Sequence, residues 1–177
     1  MEKCQFLDSF HFCPKCGAHF EDNNIKSKRC VACGFTYYFN PSAAVAAFIL
    51  NDKGELLVST RAHEPAKGSL DLPGGFVDSF ESGEQSVRRE VLEECHISLE
   101  SVSYLFSLPN IYNYSNFDVH TLDMFFECKA VDFAPLRADD DVATLQFIAL
   151  DKLDVNMFGL NSIRAAVERY ISLRVTL

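Results

Sequence analysis

The chain has 177 residues, 48% of them hydrophobic, and a formal net charge of −9. That length suits one substantial core with a small appendage, and the acidic balance argues against a general nucleic-acid binder held by a basic surface. No apolar run approaches the ~18 residues a bilayer span requires, and the opening MEKCQFLDSFHFC lacks the apolar stretch of a secretory leader, so the cytoplasm is the expected compartment.

In such a reducing compartment the seven cysteines read as thiols or metal ligands rather than disulfides. FCPKCGAHF and RCVACGFTY repeat one pattern, Cys-x-x-Cys-Gly-x-x-aromatic, with 13 residues between the two pairs. Two thiolates two residues apart grip an ion from a tight turn, and two such turns complete the tetrahedral Cys4 set that zinc favours. Cys13, Cys16, Cys30 and Cys33 are therefore the expected ligands of a structural Zn²⁺. Gly17 and Gly34 let the backbone fold round the sulfurs. Cys4, His11 and His19 are spare ligands nearby, while Cys95 and Cys128 read as small core residues. A module this short draws most of its folding energy from the ion.

Asn40-Pro41 marks a boundary, giving an expected zinc ribbon over 1–40 and a second domain over 41–177. AAVAAFIL (43–50) reads as a buried strand, NDKG (51–54) as a turn, and ELLVSTR (55–61) as a returning strand. A loop follows, with one short strand at Leu70–Leu72, and a helix is expected from Gly83 to Cys95. Strands are expected at 97–108, 120–131 and 145–150, with IYNYSNF (111–117) as a loop between the first two. Apolar residues at Leu160, Ile163, Ala166, Val167, Tyr170 and Ile171 have the spacing of an amphipathic C-terminal helix. Strands interleaved with two helices predict an α/β sandwich.

The first helix holds a conflict. RREVLEEC (88–95) sets Glu90, Glu93 and Glu94 within an arc of roughly 100°, where like charges repel. The pairs Glu84–Arg88 and Arg89–Glu93 suit a solvated, salt-bridged face, but that reading leaves Glu90 and Glu94 unexplained. A divalent cation is the other way to offset the repulsion.

The whole segment runs Gly75, five residues, Glu81, seven residues, then Arg89-Glu90-Val91-x-Glu93-Glu94. It resembles the Nudix box, the motif of hydrolases acting on nucleoside diphosphates linked to another group. Val91 and Ile97 stand at the family's apolar positions, and one position departs, His96 replacing the usual glycine. The resemblance implies a Nudix α/β/α sandwich with a mixed sheet. It implies Mg²⁺ or Mn²⁺ held by Glu90, Glu93, Glu94 and the backbone carbonyl of Gly74, an all-oxygen set suited to a hard cation. It also implies a Glu81–Arg89 pair fixing the loop, and Glu90 or a carboxylate on a later loop as the base. RADDDVATLQF supplies that loop, where Asp141 is the preferred candidate and Asp140 the next.

A Cys4 ribbon leading into a Nudix domain resembles the NADH pyrophosphatases, here in a short form. Their Ser-Gln-Pro-Trp motif, linked to dinucleotide preference, is degraded to SLPN: Ser107 and Pro109 match, Leu108 and Asn110 do not. Tyr112, Tyr114 and Phe117 offer rings that stack on a base, or that pack. The implied partner is a small-molecule nucleotide such as ADP-ribose or NADH, cleaved to a nucleoside monophosphate and a phosphorylated product. A homodimer is implied by related enzymes, and RNA 5′ ends share the same diphosphate chemistry. The competing classes are a nucleic-acid module built on the ribbon and a nucleotide sensor that does not cut. A sensor is expected to lose box glutamates, and all are present.

Overall fold

The computed structural model describes residues 5–114 and 117–175, and their contacts divide the chain into two units, Met1–Pro41 with Ile111–His120, and Ser42–Asn110 with Thr121–Leu177. The first unit holds three short antiparallel strands, β1 (Phe20–Asn24), β2 (Ser27–Cys30) and β3 (Thr36–Tyr38), in the order β1-β2-β3. Its core is small: Cys13, Phe20 and Cys30, with Ala18, Phe35 and Phe39 packed against them. An aromatic row, Phe35–Tyr37–Phe39–Phe10–Phe117, extends that core at centroid spacings of 4.7 to 6.4 Å.

The second unit is built on β4 (Ser42–Ile49), β5 (Glu55–Arg61), β6 (Leu70–Asp71), β9 (Val142–Ala149) and the parts of β7 (Leu99–Tyr114) and β8 (Phe117–Ala130) outside Ile111–His120, with helices α1 (Gly83–Cys95) and α2 (Asn161–Val175). β4 lies parallel to β8, which neighbours β7, while β5 pairs antiparallel with both β6 and β9. The continuous apolar run of β4 has the cause expected of a strand covered on both faces. Val45, Ala47 and Ile49 join Val87, Val91 and Cys95 of α1 in one core. Ala46 and Phe48 join Ile163, Ala166, Val167 and Tyr170 of α2 in the other. The period-2 alternation of a strand against the 3.6-residue period of each helix thus produces the α/β/α layering. No helix among the described residues is long and apolar enough to cross a membrane.

Two expectations need correction. β7 and β8 are longer than the strands predicted at 97–108 and 120–131, and Tyr112 and Tyr114 stand on β7 rather than in a loop. Pro109, a residue type that disfavours interior strands, is tolerated because β7 is at the edge of its sheet. Polar residues such as Asn113 stay paired within the first unit, its Nδ2 donating to Asp118 Oδ1 at 2.8 Å.

On the α2 side Tyr170 stacks on Phe48, centroids 4.0 Å apart and rings 7° from parallel, and its hydroxyl donates to Glu127 Oε2 at 3.0 Å. Tyr170→Ala should destabilise the second unit by about 3–5 kcal/mol, whereas Tyr170→Phe keeps the stack and should cost about 1 kcal/mol. Urea unfolding of the three proteins checks the ranking, and equal losses would show that the stack is not the main contribution.

Candidate active site

After β6 the chain turns along the edge of β4. Ala47 N donates to Pro73 O, Val45 N to Gly75 O and Val77 N to Ala43 O, at 2.8 to 3.0 Å. This seats residues 73–77 between β4 and α1, with no room for side chains at the closest points. A Cβ on Gly74 (φ +154°) would fall 2.1 Å from Val45 O, and one on Gly75 would fall 2.7 Å from the Glu90 carboxylate. The two glycines are therefore required by space, the first also by its backbone conformation.

Helix α1 begins with a capping box: Ser82 Oγ accepts from Gln85 N, and Gln85 Oε1 accepts from Ser82 N. From it Arg89 reaches back over the loop. Its Nε and Nη2 grip Glu81 bidentately at 2.9 and 3.0 Å, and Nη2 also donates to Phe76 O at 3.1 Å. Its Nη1 donates to Glu90 Oε1 at 2.8 Å and Glu93 Oε2 at 3.0 Å. This guanidinium bond holds the Glu81 carboxyl below its ordinary value. Arg89 thus ties the loop, the Glu81 turn and two box carboxylates into one piece.

Glu94 is buried beside it, accepting from Gly74 N at 3.0 Å. Burial pushes its carboxyl up to about 8 despite that bond, with Glu90, Asp71 and Asp141 adding repulsion. Glu90 is raised as well, by burial first and by Glu93 and Asp140 after it, against the pull of Arg89. The later acidic loop lies against the end of α1, where Asp139 N donates to Glu94 O at 3.1 Å. Asp141 itself is largely exposed, with its Oδ1 3.6 Å from His63 Nε2.

Sequence reasoning missed the layer beneath. Asp71 is buried and paired with Arg61 (Nη1 to Oδ2, 2.5 Å), yet burial still raises its carboxyl. Asp123 on β8 accepts from Thr121 Oγ1, Ser162 Oγ and Asn110 Nδ2 at 2.5, 2.5 and 3.1 Å. The signal was present in LDL and TLDMFF, where a lone carboxylate interrupts an apolar strand and so needs partners. Asn110, at the altered end of SLPN, is one of them, and Leu108 packs against the α2-side core.

The site has carboxylates in excess of cations, Glu90 and Glu94 are raised by burial first and by repulsion after it, and the box side chains offer oxygen donors. That chemistry fits a hard divalent cation. The carboxylates are not drawn to one point, since Arg89 holds Glu90 and Glu93 while Gly74 N holds Glu94. Among the described residues, Cys13, Cys16, Cys30 and Cys33 are the one group of three or more metal-ligating side chains that already converge, their sulfurs within 4.8 Å of one another. A tetrahedral Zn–S shell of 2.3 Å has sulfurs ~3.8 Å apart, and Cys13–Cys33 and Cys16–Cys30 stand at 3.8 and 3.5 Å. The two turns repeat one geometry. Gly17 N and Gly34 N donate to Cys13 O and Cys30 O, with both glycines left-handed at φ +74° and +71°. The Cys33 amide directed at the Cys30 sulfur, 3.4 Å away, lowers that thiol to about 6. His11 and His19 stand outside the sulfur cluster, and Cys4 lies outside the described residues.

Tyr112 and Tyr114 belong to the first unit, Tyr114 exposed and Tyr112 half-buried.

The family profile of the NUDIX domain matches residues 40–169. An ADP-ribose pyrophosphatase of Methanocaldococcus jannaschii is 31% identical over 121 residues, which cover 67% of this chain and 68% of that protein. The NAD-capped RNA hydrolase NudC of Haemophilus influenzae is 31% identical over 106 residues, covering 59% of this chain but 40% of that protein. A crystal structure of a NUDIX hydrolase from Nitrosomonas europaea shares the fold at a TM-score of 0.73 and 22% identity, covering 94% of this chain and 93% of that one.

Elemental analysis of the protein should find one zinc per chain. Burial pushes the Cys95 and Cys128 thiols up to about 12, so both should resist iodoacetamide at pH 8. Chelation should add four reactive thiols, and zinc-free protein with those four already reactive would overturn the ribbon assignment.

Proposed function

The chain belongs to the Nudix family, and from that premise we propose that it cleaves the diphosphate of a nucleoside diphosphate linked to a second group. Such a hydrolase releases a nucleoside monophosphate and a phosphorylated product. The observation that carries the reading is the Arg89 assembly beside buried Glu94: a rigid oxygen-donor set with too little positive charge of its own. Glu90, Glu93, Glu94 and the carbonyl of Gly74 are the proposed ligands of Mg²⁺ or Mn²⁺. When bound, the cation supplies charge that offsets the diphosphate and polarises a phosphorus.

The roles of the chain's own residues follow from their surroundings. Glu90 is poorly exposed and committed to Arg89, so it is better placed to hold a cation than to receive a proton. Asp141 is open to solvent on a loop that faces α1, with Asp140 beside it. In the proposed step a water oxygen attacks one phosphorus and the bridging P–O bond breaks. The water's proton passes to Asp141, and the displaced phosphate leaves with the bonding pair. Glu81 and Arg89 act by holding the loop and the helix in register.

ADP-ribose and NADH are the proposed substrates, with NADH not preferred. Leu108 is drawn into the core and Asn110 is engaged with Asp123, so neither replaces the polar and aromatic residues of the motif. A stacking contact is worth about 1–3 kcal/mol, and Tyr112 and Tyr114 are the proposed stacking rings on chemistry alone. We further assign 1–40 as zinc ribbon and 41–177 as the catalytic domain, in a reducing compartment such as the cytoplasm, where the free thiols persist.

Glu94→Gln should keep the fold but lower kcat by roughly 10²-fold or more at saturating Mg²⁺, because several kcal/mol of charge stabilisation are removed. An unchanged kcat would count against the assignment.

Purified protein with Mg²⁺ should cleave ADP-ribose with a kcat/KM at least equal to that for NADH. A preference for NADH above about 100-fold, nearly 3 kcal/mol, would overturn the substrate reading. No cleavage of any nucleoside diphosphate derivative would overturn the function.

A further inference from the structure

His96 ends α1 where the family's box carries glycine, and it enters the left-handed region itself, at φ 59° and ψ 19°. Its amide donates to Leu92 O at 3.0 Å, closing the helix as a glycine would. The conformation costs a residue with a Cβ more than it costs glycine. The imidazole makes a contact glycine lacks: Nε2 donates to Asp139 Oδ2 at 2.8 Å.

Asp139 is the start of the acidic turn. Its amide donates to Glu94 O at 3.1 Å, and just before it Arg137 N donates to Cys95 O at 3.3 Å, so the loop is laced to the last turn of α1. The other side-chain oxygen, Oδ1, accepts from Asp140 N at 2.9 Å, and Val142 N closes the turn on Asp139 O at 3.1 Å. Between those bonds Asp140 is also left-handed, at φ 53°. Beyond it Asp141 O accepts from Ala62 N at 2.9 Å. Both oxygens of Asp139 are thus used, one to shape the turn and one to fasten it to His96.

We propose that His96 is a positioning residue, fastening the Asp139–Val142 turn to the end of the Nudix helix so that Asp140 and Asp141 stand at a fixed place beside Glu90 and Glu94. This deepens the function proposed above and rests on it, since Asp141 is the proton acceptor there. The glycine of the box can close the helix but cannot reach Asp139. In this chain the same residue closes the helix and carries the clamp. Its action is on the chemical step, because a displacement of about 1 Å at a reacting group costs on the order of 10²-fold in rate.

The test is His96→Gly, which enters the left-handed cap freely and should fold. With Mg²⁺ and ADP-ribose, kcat should fall about tenfold or more while KM stays within about threefold, at a temperature well below the unfolding transition. Asp139→Ala should reproduce the loss, and the double variant should be no worse than the more damaged single one, as expected for two residues acting as a unit. Amide exchange at Asp139 and Val142 should quicken in His96→Gly, with the interior of α1 unchanged. A kcat within about threefold of the parent, losses that multiply in the double variant, or unchanged exchange at the turn would overturn the clamp. Absence of any cleavage by the parent protein would overturn the proposed function instead, and the exchange measurement would still decide whether His96 holds the turn.

Discussion

The site depends on one steric constraint, the narrow space between β4 and the carboxylate face of α1. Backbone at residues 73–75 fills it, and the filling works because nothing projects from Gly74 or Gly75. Hydrogen bonds to β4 fix the loop on one side, and the Gly74 amide meets Glu94 on the other. A single methyl group at Gly74 would collide with Val45 O, one at Gly75 would collide with the Glu90 carboxylate, and any widening of the gap would draw the Gly74 amide away from Glu94. Close packing turns such small volumes into discrete geometric consequences.

Charge is the second layer of the same arrangement. Arg89 binds Glu81, Glu90 and Glu93 at once, and Arg61 serves Asp71 from beneath. Breaking a buried charge pair costs far more than an exposed one returns, so these arginines resist rearrangement. Glu94 has the Gly74 amide in place of such a cation, and burial, with repulsion from Glu90 after it, raises its carboxyl. The helix face that looked merely repulsive in sequence is therefore graded: Glu93 exposed and paired, Glu90 half-committed, Glu94 buried and uncompensated.

Much of this was legible where the information is local. The helix expected over Gly83–Cys95 has those bounds in α1, β4 and β5 follow from an apolar run broken by NDKG, and the cysteine cluster follows from duplicated spacing. The Nudix fold followed from the box. What sequence hid is long-range or context-bound. The Asp123–Ser162 bond joins residues 39 apart and His96–Asp139 joins residues 43 apart, and no local periodicity reports such pairs. YNYSN reads as a loop because polar residues and a nearby proline disfavour an interior strand. An edge strand escapes both objections. At His96 the residue type reveals the conformational cost of a left-handed helix end but not the partner, Asp139, that its ring meets.

The acidity of the chain sharpens the functional reading. A diphosphate ester is an anion, and the surface proposed to receive it presents Glu90, Glu94, Asp140 and Asp141, with Arg89 already occupied by carboxylates. At roughly 4 Å, two like charges in a partly buried site repel by several kcal/mol, which no single stacking contact offsets. On the proposed function, the divalent cation is then needed to bind substrate as well as to assist the chemistry. The raised carboxyl of Glu94 suits that order of events, because a group whose charged form is disfavoured by burial releases its proton when a cation arrives. On that reading, the same excess of negative charge that disfavours a bare diphosphate favours one that arrives with a divalent cation.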